Sequence, residues 1–357
     1  MSPIRDILLA DYPIIEIMRE CCASLPSSDV EVLVKPLNRL VTVEPGANLL
    51  QALRAAQIPM SYSCMAGRCG TCRCRVLGGE VLDHGSEQQG PLDGDGSYVL
   101  ACQTYITEPC TIEIPEPDEV IVHPARIVRA TLVHIEYLTH DIKRLVFESN
   151  KPIEFSPGQY AQLEFTPGHA RPYSMAGLST DRQLEFHVRL IPDGRVSTYI
   201  SRILKVGDSV RLSGPLGSAY LRRKHAGPML CVAAATGLAP VLSIIRGAIA
   251  AGMQNAIHLY FGVRSPRDIY GTDWLDSLKR QCSSLKVHVA VASGGDPRVQ
   301  RCGVVTEAIE SDLKSLKGWR AYVCGSPPMV EAATSLVRRA GVSPDHVYAD
   351  AFYTQAT

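Results

Sequence analysis

Ser63-Cys64-Met65-Ala66-Gly67-Arg68-Cys69-Gly70-Thr71-Cys72, completed by Val99-Leu100-Ala101-Cys102-Gln103, sets four cysteines in the order C-x4-C-x2-C plus a distant fourth. That is the plant-type spacing for a [2Fe-2S] cluster held by Cys64, Cys69, Cys72 and Cys102. A loop wrapped around a cluster must turn sharply and bring backbone N–H groups close to anionic sulfur. Gly67 and Gly70 permit both because they lack a Cβ. The competing reading is a structural zinc site, which normally takes two Cys pairs or a Cys pair with His; only Cys69 and Cys72 make such a pair. Cys74 follows closely, but alternation through Thr71-Cys72-Arg73-Cys74-Arg75-Val76 predicts a strand with Cys74 inward, as a small core hydrophobe. The other cysteines, at 21, 22, 110, 231, 282, 302 and 324, show no pairing pattern. With no signal-peptide pattern, they read as reduced thiols of a cytoplasmic protein.

Outward from the loop, the 357-residue chain has room for two or three domains, each with its own core. Its 36 basic and 36 acidic side chains cancel, so no basic excess argues for nucleic acid. The longest uncharged stretch, Met229 to Ile245, approaches membrane-spanning length. Thr236, Gly237, Pro240 and Ser243 interrupt it, which fits a buried strand, a turn and a helix start, so no membrane span is expected.

Residues 1–29 form an unassigned N-terminal extension. Ile4, Ile7, Leu8, Ile14, Ile15, Met18 and Cys22 recur at helical spacing, broken at Pro13; the segment packs on the body, pairs subunits or is a marginal extension. Residues 30–114 read as a small β-rich cluster holder, with strands at Val30–Val34 and Leu40–Val43 and a short helix over Ala47–Gln57. Pro115-Glu116-Pro117-Asp118-Glu119 opens a stiff polar linker, 115–123. Residues 124–224 alternate β-branched and polar residues in short runs divided by Pro-Gly and Asp-Gly turns, the pattern of a closed antiparallel barrel. Over 225–357 strands at Met229–Ala235, Ile257–Val263, Val287–Ala292 and Trp319–Cys324 alternate with helical stretches, which predicts a doubly wound parallel sheet.

Inside the barrel lies Arg171-Pro172-Tyr173-Ser174. An arginine clamps phosphate, a tyrosine ring covers a flat heterocycle and a serine hydroxyl bonds a ring nitrogen. Downstream, Gly194-Arg195-Val196-Ser197-Thr198 is a glycine turn opening a helix whose first amides suit a pyrophosphate. The two stretches together suggest a flavin site. In the third domain, Ala235-Thr236-Gly237-Leu238-Ala239-Pro240 is a strand-to-helix turn where such sheets bind phosphates, though it is not G-x-G-x-x-G. Cys324-Gly325-Ser326-Pro327-Pro328-Met329 ends the fourth strand, where strand ends line the ligand crevice; Cys324 reads equally as a buried strand cysteine. The second strand ends in Arg264-Ser265-Pro266-Arg267-Asp268. An arginine there favours NADP and an acid favours NAD, so the mixture predicts NADH use with tolerance of NADPH.

The domain order and the stretches Ser61–Cys64, Gly67–Val76, Ala170–Gly177, Leu212–Gly217 and Tyr348–Tyr353 resemble the ferredoxin-NAD(P)+ reductase superfamily with a plant-type ferredoxin fused at the N-terminus. More narrowly, the chain from about residue 30 is similar to the reductases of naphthalene dioxygenase and related ring-hydroxylating dioxygenases. The resemblance implies a β-grasp ferredoxin domain, a flavin barrel and an NAD(P) domain. It implies FAD, with FMN as the lesser option, and hydride transfer from a reduced nicotinamide nucleotide to the flavin, which releases electrons singly to the cluster. By carry-over, Arg171 holds the flavin pyrophosphate, Tyr173 packs on its ring and Ser174 sits near N5. Gly194, Val196, Ser197 and Thr198 serve the phosphates. Thr236, Gly237, Pro240, Arg264, Gly325 and Met329 serve the nucleotide, while Ser174, Cys324 and Phe352 flank the reacting rings. The implied acceptor is a separate Rieske-type ferredoxin and, through it, a dioxygenase. Rivals are a two-component reductase feeding an oxygenase directly and, in another class, a redox-sensing or binding module. Two departures stand out: the N-terminal extension, and Ala233-Ala234-Ala235, where the family more often has glycine. Arg68, Arg73 and Arg75 offer either a basic dock for an acidic acceptor or a solvated face.

Overall fold

The computed structural model describes residues 29–62, 65, 67, 71–84, 97–115 and 123–353. The helical pattern expected near the N-terminus, the linker's core, Arg68, and the cluster cysteines Cys64 and Cys69 lie outside the described residues.

In the first domain, Val-Glu-Val-Leu-Val-Lys makes β1 (Val30–Lys35) with Val30, Val32 and Val34 inward, and it pairs antiparallel with β2 (Arg39–Val43). β3 (Ala47–Asn48) then gives way to a helix, Leu49–Ala55, because the Asn48 side chain accepts from the Gln51 N–H and caps it. Leu49, Leu50 and Leu53 form its buried face. The helix is shorter than the expected Ala47–Gln57 because its first two residues are taken by the small sheet. β4 (Arg73–Gly78), β5 (Leu82–Asp83), β6 (Ser97–Leu100), β7 (Thr104–Ile106) and β8 (Cys110–Glu113) complete two sheets, ordered β2-β1-β8-β4-β6 and β3-β7-β5. β1 and β8 run parallel, and the helix packs over them, a β-grasp arrangement. Cys74 is buried in β4 as expected, and burial pushes its thiol up to about 12, so it stays a neutral core residue.

The second domain is one antiparallel sheet of β9 (Arg126–Tyr137), β10 (Ile142–Ser149), β11 (Tyr160–Glu164), β12 (Ala170–Ser174), β13 (Leu184–Arg189) and β14 (Ser209–Leu216), in the order β12-β11-β14-β9-β10-β13. A bridge between Met175 and Phe186 joins the two edge strands and closes the barrel. The helix Arg195–Arg202 begins after Gly194, buries Val196 and Ile200 against the barrel, and lies where the glycine turn predicts it.

In the third domain β15 (Met229–Ala234), β16 (Ile257–Val263), β17 (Leu285–Val291), β18 (Arg301–Cys302), β19 (Arg320–Gly325) and β20 (Val347–Ala351) form an all-parallel sheet ordered β18-β17-β16-β15-β19-β20. β15 is covered on both faces, which is why Met-Leu-Cys-Val-Ala-Ala reads as an unbroken apolar run. Successive strands step from β15 to one side, and the chain then returns to lay β19 on the other. The switch point therefore falls between β15 and β19, whose carboxyl ends open a crevice. Among the described residues, no helix is long and apolar enough to cross a membrane.

Candidate functional site

The crevice merges with the barrel wall into one cavity of about 1350 Å³, roomier than the ~300–1,000 Å³ of a single small-ligand site. β12 contributes Arg171, Pro172, Tyr173 and Ser174, all on its wall. Tyr173 meets Phe165 edge-on at 6.1 Å, and burial raises its phenol well above the usual range, so the ring is a fixed neutral plate. Gly194, Val196 and Ser197 also line the cavity, whereas Thr198 is exposed and does not. The Ser197 hydroxyl already accepts from the Ile191 N–H at 2.8 Å, leaving its proton to donate into the cavity. A Cβ on Gly194 would sit 3.2 Å from the Ile191 carbonyl oxygen, so any side chain here would make the turn give by a few tenths of an ångström. Arg195 and His169, 3.2 Å apart, add donors to the same end and suit an anion with Arg171.

On the opposite wall Thr236, Arg264 and Met329 face the cavity; Gly237, Pro240, Cys324 and Gly325 stand behind it. Gly237 is pressed against β19, where an added Cβ would lie 2.0 Å from the Cys324 carbonyl oxygen. Cys324 is fully buried and burial pushes its thiol far up, so its side chain is a neutral packing group beneath the turn. Ala235, which takes the place of the expected glycine, is held at φ +48°, a left-handed conformation costing an L-residue roughly 1–2 kcal/mol. The helix Pro327–Arg339 points its start at the cavity, with Ser326, Pro327 and Pro328 on the wall. Arg264 is exposed and leans on Asp141 at 3.6 Å, while Asp268 accepts from the Ser265 amide and hydroxyl. Burial opposes Asp268's charge, but those bonds outweigh it and hold its carboxyl below the usual range.

Between the two walls stands a group that sequence reasoning missed. Asp350, in β20 beside Cys324, accepts from the Ser174 hydroxyl at 3.5 Å, and Phe352 follows with its N–H on the Gly325 carbonyl at 2.8 Å. Burial raises the Asp350 carboxyl to about 6. The only signal was its place in Tyr348–Tyr353, where it is the lone charged residue among alanines and aromatics. The folded chain thus keeps a proton on Asp350 that the unfolded chain releases, so the contribution of Asp350 to stability falls as pH rises from about 4 to about 6 and is level above. Asp350→Asn is expected to remove that slope, on the order of 2 kcal/mol, in urea midpoints compared across the same window.

The cluster domain adjoins this cavity through the loop after β14. The Thr71 hydroxyl faces the Gly217 carbonyl at 3.4 Å, and Tyr220 donates to the Ser61 hydroxyl at 3.2 Å. Cys72 and Cys102 are buried, and the Ala101 N–H on the Cys72 carbonyl, 2.9 Å, holds their two segments together. The Gly67 N–H points at Cys102 Sγ at 3.3 Å, the kind of donor an anionic sulfur ligand of a cluster calls for. Arg73 and Arg75, read from sequence as either a basic dock or a solvated face, have partners within the chain: Arg73 stacks on Tyr98 at 3.8 Å, Tyr98 bonds Asp345 of the third domain, and Arg75 pairs with Glu113.

A thiolate loop built for iron and sulfur, a barrel wall shaped for a flat ring and its phosphates, and a nucleotide crevice opening onto that wall define an iron–sulfur flavoprotein oxidoreductase. Models of known families match each part in turn: a 2Fe-2S iron-sulfur cluster binding domain over residues 32–107, an oxidoreductase FAD-binding domain over 129–220 and an oxidoreductase NAD-binding domain over 231–335. The chain is 57% identical over 324 residues to a ferredoxin–NAD(P)+ reductase component of naphthalene 1,2-dioxygenase/salicylate 5-hydroxylase systems from a Ralstonia species, covering 91% of this chain and 99% of that one. It is 54% identical, with the same coverage, to the reductase component of the naphthalene 1,2-dioxygenase system of Pseudomonas putida. The crystal structure of an Amycolatopsis cytochrome P450 reductase superposes with a TM-score of 0.67 at 31% identity, over 90% of this chain and 98% of that one. The chain belongs to the ferredoxin–NAD(P)+ reductase family, and it carries electrons from NAD(P)H through FAD and a [2Fe-2S] cluster.

Proposed function

We propose that this chain is the reductase of a multicomponent ring-hydroxylating dioxygenase, taking electrons from NADH, with NADPH tolerated, and handing them singly to a separate Rieske-type ferredoxin. The cavity joining Arg171–Ser174 to the Thr236 turn carries the reading, because it sets a flavin wall and a nucleotide turn face to face. When bound, FAD supplies the exchange between two-electron and one-electron chemistry, and the cluster takes one electron at a time. Arg171 and Arg195 neutralise the flavin pyrophosphate, with the His169 ring beside them; Pro172 and Tyr173 pack the ring, and Gly194, Val196 and Ser197 close the phosphate turn. Thr236 and Met329 shape the nucleotide crevice, with Gly237, Pro240 and Gly325 as its backing, and Arg264 reaches the adenosine ribose. The Ser174 hydroxyl donates to Asp350 beside the reacting rings, Phe352 covers them, and Cys324 supports the floor. Cys72 and Cys102, with Cys64 and Cys69, hold the cluster. The buried thiols Cys74, Cys110, Cys231 and Cys324, none in a disulfide, suit a cytoplasmic location.

The likeness to the two naphthalene dioxygenase reductases, far above that to the P450 reductase, favours a ferredoxin over direct delivery to an oxygenase. Reconstitution separates the two. With NADH, the chain is expected to reduce a Rieske-type ferredoxin and to support dioxygenase turnover only when that ferredoxin is present. Equal turnover without it would establish the two-component arrangement.

A further inference from the structure

The loop after β14 stands between the cavity and the cluster domain, and it is fastened on both sides. On the cavity side Gly217 takes φ +97°, and an added Cβ would lie 2.9 Å from the ring of Tyr160, which lines the cavity. The Gly217 carbonyl accepts from the buried Gln159 amide at 3.1 Å, and the Leu221 N–H donates to the Pro157 carbonyl at 2.9 Å, so the loop is tied to the barrel. On the other side it meets the cluster loop at two points. The same Gly217 carbonyl accepts at 3.4 Å from the hydroxyl of Thr71, the residue before Cys72. Tyr220 donates at 3.2 Å to Ser61, three residues before Cys64. One short stretch thus touches both flanks of the cysteine loop.

Tyr220 is anchored from behind. The Arg222 guanidinium lies over its ring at 3.5 Å and over the ring of Tyr348, on β20, at 4.4 Å. Arg222 donates to the Tyr220 and Ser218 carbonyls, each at 3.0 Å, and its backbone N–H donates to the Tyr322 hydroxyl at 2.9 Å. Tyr322 in turn stacks on Tyr348 at 5.1 Å. The phenol is therefore held by the second and third domains together, while its hydroxyl reaches into the first. Tyr220 and Ser61 are both buried. Apolar contact is satisfied by many placements of one domain on another, but a buried hydroxyl is not: a displaced cluster domain would leave the phenol without this acceptor and still shielded from water. The bond therefore selects one placement. Electron transfer between two centres falls steeply with their separation, so placement sets its rate.

We propose that Tyr220, anchored by Arg222, is a positioning residue for the internal electron step, holding the cluster loop through Ser61 at its working distance from the flavin. In that step one electron leaves the reduced flavin and reduces the cluster by one; no bond to Tyr220 forms or breaks, and its redox state does not change. The proposal rests on the reading of the cavity as the flavin site.

The test is flash photoreduction of the holoprotein without NADH, following the relaxation in which an electron redistributes between flavin and cluster. Hydride transfer has no part in that signal. Tyr220→Phe keeps the ring under Arg222 and removes only the hydroxyl; it is expected to slow the relaxation roughly fivefold, with midpoint potentials, FAD content and iron content near those of the wild type. Ser61→Ala removes the acceptor instead and is expected to act alike. In both variants the backbone amides of residues 58–62 and 217–222 are expected to exchange hydrogen faster, a local loosening read without any electron transfer. A merely structural role would lower the melting temperature or the iron content and leave the rate in fully loaded molecules unchanged. An unchanged relaxation rate in Tyr220→Phe, or a slower one matched by a shifted potential, would overturn the proposal and leave the flavin reading intact. A wild-type protein whose flavin and cluster never exchange an electron would overturn both.

Discussion

Replacing Cys102 by Ser is expected to strip the protein of its iron–sulfur absorption and of the reduced-cluster paramagnetic signal. NADH-driven reduction of a one-electron protein acceptor should fall about 100-fold or more, because a neutral hydroxyl is a poor ligand where a thiolate is needed. The flavin half should survive: ferricyanide, which can draw electrons from the flavin directly, should still be reduced by NADH. The expectation follows from position. Cys102 is buried, its sulfur accepts from the Gly67 N–H at 3.3 Å, and its segment is tied to that of Cys72 through Ala101. Cys74 cannot step in, because its burial in β4 keeps it a neutral thiol facing the core. A variant with a full cluster would mean that Cys102 is not a ligand.

Gly237→Ala should do comparable damage at the other end of the electron path. The new methyl would stand 2.0 Å from the Cys324 carbonyl oxygen and 3.0 Å from the Gly325 Cα, both backbone atoms at the end of β19. β19 is locked between β15 and β20, so the turn must move instead of the strand. A shift of about 1 Å at a positioning element costs on the order of 100-fold in rate. We expect that loss in kcat/KM for NADH, with FAD content unchanged, because the barrel wall is untouched. Unaltered kinetics with NADH would show that this turn does not hold the nucleotide.

The parts of the fold that read clearly from sequence are those with one dominant physical demand. The cysteine spacing demanded a cluster loop, the run Met229 to Ala234 demanded two covered faces, and Gly194 before Ser197 and Thr198 demanded a helix start. β20 was illegible because its residues are only partly buried and include Asp350, so no apolar run marks it. Thr198 was indistinguishable from Ser197 in sequence, yet the helix turns it outward, away from the cavity. Arg73 and Arg75 looked free for a partner, because nothing local announces Tyr98 and Glu113, the residues that engage them. The contact between His187 on β13 of the barrel and the Tyr270 hydroxyl of the third domain, 3.1 Å, was invisible for the same reason: only the folded structure brings the two domains together there.

The central claim is that one chain accepts electrons in pairs from a nicotinamide nucleotide and releases them singly through its cluster. An anaerobic titration of the purified holoprotein with NADH, following flavin and iron–sulfur absorption together, tests it most directly. The account predicts uptake of about three electrons per chain, two by the flavin and one by the cluster. Flavin bleaching with no cluster band, or no response to NADH at all, would contradict it.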